Sequence, residues 1–148
     1  MEETKQLLYK NKIKVFKDLL ANTKKKKDKH YKKYKKLKCI NNFLKVGVNI
    51  LNAGSICSLV ITYMGMTPVI VISLSLTSLS TFIIAGMNSY DIDYKIQSHN
   101  NSSLQFSEMY IHYQSILIKN GLTSKQVDEY LNEMKEKINL VMDTEEPI

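Results

Sequence analysis

Apolar and polar positions divide this chain into three stretches. From Val46 to Tyr90, 45 consecutive residues include no Asp, Glu, Lys, Arg or His. One membrane crossing needs roughly 20 apolar residues at about 1.5 Å rise each. The run is about twice that length, and Pro68 sits near its centre. The pattern predicts two spans, 46–63 and 68–87, joined by a turn at 64–67. Pro68 suits the first turn of a helix, where its missing N–H has no partner to lose. Tyr63 and Tyr90 fall where aromatic belts lie. The alternative is a hairpin buried inside a soluble bundle, but a 148-residue chain has little else with which to cover it.

The flanks are polar and periodic. Residues 2–22 predict a helix with Leu8, Phe16, Leu19 and Leu20 on one side and Lys5, Lys12, Lys14 and Lys17 around it. Tyr31, Tyr34 and Leu37 recur at helical spacing through 24–38. That basic helix is expected to run on through Ile40, Phe43 and Leu44 into the first span. After the run, Asp91 and Asp93 mark the return to water. Residues 91–119 predict a helix, loosened near Asn100-Asn101-Ser102-Ser103, with Phe106, Tyr110, Tyr113 and Leu117 as its stripe. Asn120-Gly121 is a stop signal. Thr123 and Gln126 have capping-box spacing for the next helix. Val127, Leu131, Met134, Ile138 and Val141 form a stripe suited to a partner helix, and Glu145–Ile148 is a short tail. The expected fold is all-α. It consists of a basic arm (1–45), a two-span hairpin, and a helical extension (88–148) folded as an amphipathic hairpin.

Charge orients this picture. Residues 1–45 hold 16 Lys and 4 acids, and residues 91–148 hold 5 Lys and 10 acids, giving +12 and −5. The overall +7 is the sum of opposite arms, and the slightly negative mean hydropathy averages them with an apolar middle. Lysines crowd the flank before the first span, and the turn between the spans has none. The positive-inside rule then places the first arm in the cytosol, and a second crossing returns the other arm to the same side. Asn100 and Asn101 each begin a glycosylation sequon, so unmodified sequons in a eukaryotic host would agree with that topology. The first apolar stretch lies too far from the start to be a signal peptide. Neither a myristoylation pattern nor a prenylation box is present.

Within the spans, Asn49, Asn52, Gly54 and Ser58 on one side and Ser73 and Thr77 on the other suit close helix packing. They could pack the two spans together, join several hairpins, or line a pore. The absence of charge disfavours a proton relay. Ten lysines, Lys24, Lys25, Lys26, Lys27, Lys29, Lys32, Lys33, Lys35, Lys36 and Lys38, face three readings. They could be a topology signal on a solvated helix, a contact with an anionic leaflet worth about 1 kcal/mol per well-placed Lys, or a sequence-independent nucleic-acid site with Tyr31 and Tyr34 as stacking residues. All 21 basic residues are Lys, which suits diffuse attraction better than bidentate phosphate recognition.

Catalytic motifs are missing. There is no phosphate-binding glycine loop, no Gly-x-Ser-x-Gly elbow and no His-Glu-x-x-His, so an enzyme is not expected, nor is a cofactor. Glu108 and His112, one helical turn apart, make at best a weak metal pair. Cys39 and Cys57 are expected at different depths and unpaired, with Cys39 near enough to the boundary for acylation.

The order of parts carries a resemblance: a basic helix, two spans, Ser98-His99 leading to Phe106 and Tyr110, then an amphipathic helix ending near Pro147. Over residues 30–148 this resembles the SLATT-type two-transmembrane superfamily. The resemblance implies two spans with a helical cytosolic extension. It also implies kinship with proposed pore-forming effectors of bacterial conflict systems and with small membrane proteins of large DNA viruses. The Lys- and Asn-rich, Arg-free composition leans toward a viral source. The expected role is structural. The protein would sit in an internal or virion membrane with both termini cytosolic, as a homo-oligomer or beside membrane or capsid proteins. Membrane permeabilisation is the alternative, and tethered nucleic-acid binding a third.

Overall fold

The computed structural model describes residues 2–65, 69–119 and 121–143. The expectations for Met66, Thr67 and Pro68, the Asn120 stop and the Glu145–Ile148 tail lie outside the described residues. Four helices account for the chain: α1 (Glu2–Tyr63), α2 (Val69–Ser89), α3 (Ile92–Ile118) and α4 (Ser124–Asp143). Among the described residues there is no strand.

α1 runs from the basic stretch into the first uncharged segment, as expected, and also takes in the helix expected over 2–22. No proline precedes Pro68, so nothing removes a backbone donor or blocks a turn before Tyr63. α3 is also unbroken through Asn100–Ser103, where loosening was expected. Ser102 and Ser103 are buried, and the Ser103 hydroxyl donates to the Lys27 carbonyl at 3.4 Å. Tertiary contact overrides a weak local propensity here. α4 starts as its capping box requires. The Thr123 N–H donates to Gln126 Oε1 at 2.9 Å, and the Gln126 N–H donates to the Thr123 hydroxyl at 3.4 Å. Before it, Gly121 turns the chain at φ +98°, a conformation that suits glycine.

Contacts divide the chain into two compact units. The first comprises Met1–Lys33 and Ser98–Ile148. Its core draws on three helical segments: Phe16 and Leu20 of α1; Phe106, Met109, Tyr113 and Ile116 of α3; and the Val127, Leu131, Met134, Ile138 and Val141 stripe of α4. Phe16 meets Tyr113 edge-on with ring centroids 6.1 Å apart. The α4 stripe finds its partner helices within the chain: α3, as an amphipathic hairpin requires, and the first part of α1, which completes the core.

Polar contacts fix the register of α1 in this unit. The Tyr9 hydroxyl donates to the Leu122 carbonyl at 3.0 Å, and Lys12 reaches both Ser124 and Asp128. The oppositely charged arms therefore meet within one chain. Partly exposed ion pairs contribute about 1 kcal/mol or less, so the apolar core supplies most of the docking energy. Lys137 donates to Glu133 at 2.7 Å, which holds the Glu133 carboxyl below its usual range and the Lys137 ammonium above its own. Burial pushes the neighbouring Tyr113 phenol up.

The second unit is Tyr34–Gln97. It holds the later part of α1, all of α2 and the first residues of α3. α2 passes into α3 through Tyr90 and Asp91. Asp91 is left-handed, at φ +48°, and its carbonyl accepts the Lys95 N–H at 3.0 Å, opening α3. Aspartate is among the few non-glycine residues that take this conformation readily.

Phe16 is fully buried and Leu8 is largely exposed. Phe16→Ala is expected to destabilise the first unit by about 3–5 kcal/mol, whereas Leu8→Ala should stay within about 0.5 kcal/mol. Denaturation followed by Tyr fluorescence in the full-length protein measures both. Equal, small effects would contradict docking of α1 into this core.

Candidate functional site

The second unit places polar groups inside and apolar groups outside. Ser55, Ser58, Ser73 and Ser80 are buried, while Ile50, Ile56, Leu59, Val71, Leu74 and Phe82 are each more than half exposed. Both apolar helices are long and apolar enough to cross a membrane, yet only 17% and 11% of their most apolar windows are covered by the chain. A soluble core helix has the opposite pattern.

A hydroxyl seam joins the two helices. The Ser55 and Ser73 hydroxyls lie 2.9 Å apart, and the Thr77 hydroxyl lies 2.7 Å from Ser55. Ser73 donates to the Ser55 carbonyl at 3.1 Å, and Thr77 donates back to Ser73 within α2 at 2.9 Å. Gly54 admits α2 closely, since a Cβ there would stand 3.2 Å from Leu76 Cδ1. Of the sequence candidates, Gly54, Ser73 and Thr77 lie at this seam. Ser58 is buried but donates to the Gly54 carbonyl of its own helix at 2.9 Å. Ser55, which links the other two hydroxyls, is not among those candidates. A rule seeking small residues four apart finds Gly54 and Ser58 and passes over their neighbour.

Other hydroxyls are satisfied inside their own helices. Thr62, Ser75 and Thr81 each donate to the carbonyl four residues earlier. Such back-bonding lets a hydroxyl face hydrocarbon without an open donor. Asn49 and Asn52 differ, being exposed and outside the seam.

At the charged border of the uncharged run, Asn41 donates to Asp93 at 2.7 Å and Lys45 approaches the same carboxylate at 3.2 Å. Asn41 is buried, and its Oδ1 has no hydrogen-bond partner among the described residues. This cluster joins α1 to α3 and has no signature in local spacing, because Asp93 lies 52 positions from Asn41 and 48 from Lys45.

The lysine run is partly committed to structure. Lys24 and Lys26 each lie 5.8 Å from an aromatic ring, those of Tyr110 and Phe106 respectively. Lys27 lies 3.7 Å from Asp28, and Lys38 donates to the Tyr34 hydroxyl at 2.9 Å. Lys33 is half-buried, while Lys25, Lys29, Lys32, Lys35 and Lys36 are exposed. His30 is buried beside Phe106, with its Nδ1 3.2 Å from that of His99. Sequence reasoning found no role for that pair, since the two positions are far apart in the chain. Glu108 and His112 are both exposed, and Cys39 and Cys57 are exposed free thiols. Among the described residues no three His, Cys, Asp or Glu side chains are grouped to hold a metal.

No protein-family model matches the chain, and no curated protein or solved structure shows significant similarity to it.

Interhelical hydrogen bonds of this kind contribute about 0.6–2 kcal/mol. Ser55→Val is therefore expected to weaken the hairpin by about 1–2 kcal/mol. Ser75→Ala, which removes only a back-bond, should cost under about 0.5 kcal/mol. Thermal unfolding in detergent micelles reads both. Equal effects would show that the seam does not hold the helices together.

Proposed function

We propose that this protein is a double-spanning membrane anchor with a structural or scaffolding role. The observation that carries the reading is the inverted second unit, with hydroxyls within and aliphatic side chains outside. In water, each exposed aliphatic side chain leaves on the order of 1 kcal/mol unrealised. Their sum is comparable to the whole stability of a typical domain, about 5–15 kcal/mol. A lipid environment removes that penalty.

On this reading the bundle of α1, α3 and α4 is the part offered to protein partners. Residues 1–33 and 98–148, the larger parts of both arms, belong to one compact unit, which supports one aqueous compartment for both. The lysine-rich flank favours the cytosol for it, and an internal or virion membrane is the proposed location. The exposed Lys25, Lys29, Lys32 and Lys36 would lie against an anionic leaflet. Commitment of Lys24, Lys26 and Lys27 to packing and pairing leaves fewer charges for a nucleic-acid track.

A second reading, in which several hairpins form a pore, draws on Asn49 and Asn52. Both carry exposed amides within the uncharged run, and an amide in hydrocarbon favours a polar partner on another helix. It also agrees with the order of parts seen in SLATT-type proteins. The closed hydroxyl seam argues for anchoring first, since the largest set of polar groups in the spans is spent within one hairpin.

The test is reconstitution of the full-length protein into dye-loaded liposomes. An anchor is expected to resist alkaline carbonate extraction and to leave the dye inside at any density. Leakage that rises steeply with density and is lost in Asn52→Leu would favour the pore. Complete release into the carbonate supernatant would contradict both.

A further inference from the structure

The second unit contains a cavity of about 380 Å³ where α1, α2 and the start of α3 converge. Its chemistry is divided. Val48, Ile84, Met87 and Ile92 give it an apolar wall. Lys45, Asn49, Asn88, Asp91 and Asp93 give it a polar one. Lys45 immediately precedes the uncharged run and Asp91 immediately follows it. On the membrane reading above, on which this inference rests, the cavity lies at the border between hydrocarbon and headgroups.

We propose that this cavity binds the headgroup of a zwitterionic phospholipid bearing a primary amine, a phosphoethanolamine lipid. Three observations narrow the ligand to that chemistry. First, the wall carries both signs of charge, one ammonium and two carboxylates, so a purely anionic headgroup meets a net negative site. Second, the carboxylates are differently engaged. Asp93 is held by Asn41 and Lys45, whereas Asp91, which also lines the cavity, has no side-chain hydrogen bond or ion pair among the described residues. The Asp91 carboxylate is an acceptor for N–H donors, and Asn49 and Asn88, whose amides can also accept, line the same cavity. Third, a quaternary amine has no N–H to donate and is recognised by aromatic cages, and among the described residues Tyr94 is the single aromatic lining the cavity. The lipid phosphate then lies toward Lys45, and its acyl chains run along the apolar wall.

Retention of lipid by the full-length protein tests this. The protein is placed in nanodiscs of phosphatidylcholine with a minority of either phosphatidylethanolamine or phosphatidylglycerol, released gently, and its bound lipids counted by native mass spectrometry. The ethanolamine lipid is expected to be retained about ten-fold over the choline lipid, a preference of ~1.4 kcal/mol. Asp91→Asn should abolish that preference while keeping the fold, because asparagine also accepts the left-handed backbone. If that variant melts differently from the parent, Asn49→Ala, which removes an acceptor without touching the joint, takes its place. Equal retention of ethanolamine and choline lipids, or preference for the glycerol lipid, would overturn the site while leaving the membrane reading intact. Failure of the protein to enter any nanodisc would overturn both.

Discussion

Ser55, Ser73 and Thr77 exchange hydrogen bonds across the two apolar helices, and the rest of the hairpin is arranged around that exchange. With no charge between Val46 and Tyr90, ion pairing cannot hold the helices together. In the lipid setting proposed above, apolar side chains gain nothing by moving to a protein contact, so close approach and hydroxyl bonding supply the attraction. Gly54 allows the approach, and the hydroxyls supply the bonding. The outward hydroxyls of Thr62, Ser75 and Thr81 bond to their own helices. Most of the polar content of the spans is thereby satisfied within one chain.

The other unit works by the opposite physics. Phe16, Phe106, Tyr113 and Met134 are removed from water in a core assembled from three helical segments. The acidic and basic arms meet at Lys12 and Asp128, but the core does most of the holding. A single chain thus uses polar-inside packing where it is uncharged and apolar-inside packing where it is charged. This division follows the composition of the stretches.

Much of this was legible in the sequence. The uncharged run, its division near Pro68, the α4 stripe and its Thr123 capping box all depend on local spacing, which a sequence displays. What was hidden is long-range. The stripe of α4 asks for a partner helix, but α1 reads as a basic helix with a modest apolar side. Only the fold shows Phe16 and Leu20 closing the bundle. Ser55 was overlooked because its role is set by Ser73 and Thr77 across the turn, not by its own helix. The Asn41–Asp93–Lys45 cluster and the His30–His99 contact likewise join positions with no periodic relation. The opposite error occurred at Asn100–Ser103, where unfavourable helix formers stay helical because Ser102 and Ser103 are buried against α1.

The two cysteines offer the most direct measurement. Cys39 and Cys57 are both exposed in the fold, one in the basic stretch and one in the first uncharged segment. In water they should react alike with a charged, membrane-impermeant maleimide. The account predicts that, in the membrane-embedded full-length protein, Cys39 is labelled and Cys57 is protected until detergent or denaturant is added. Equal labelling of both thiols in intact membranes would contradict it.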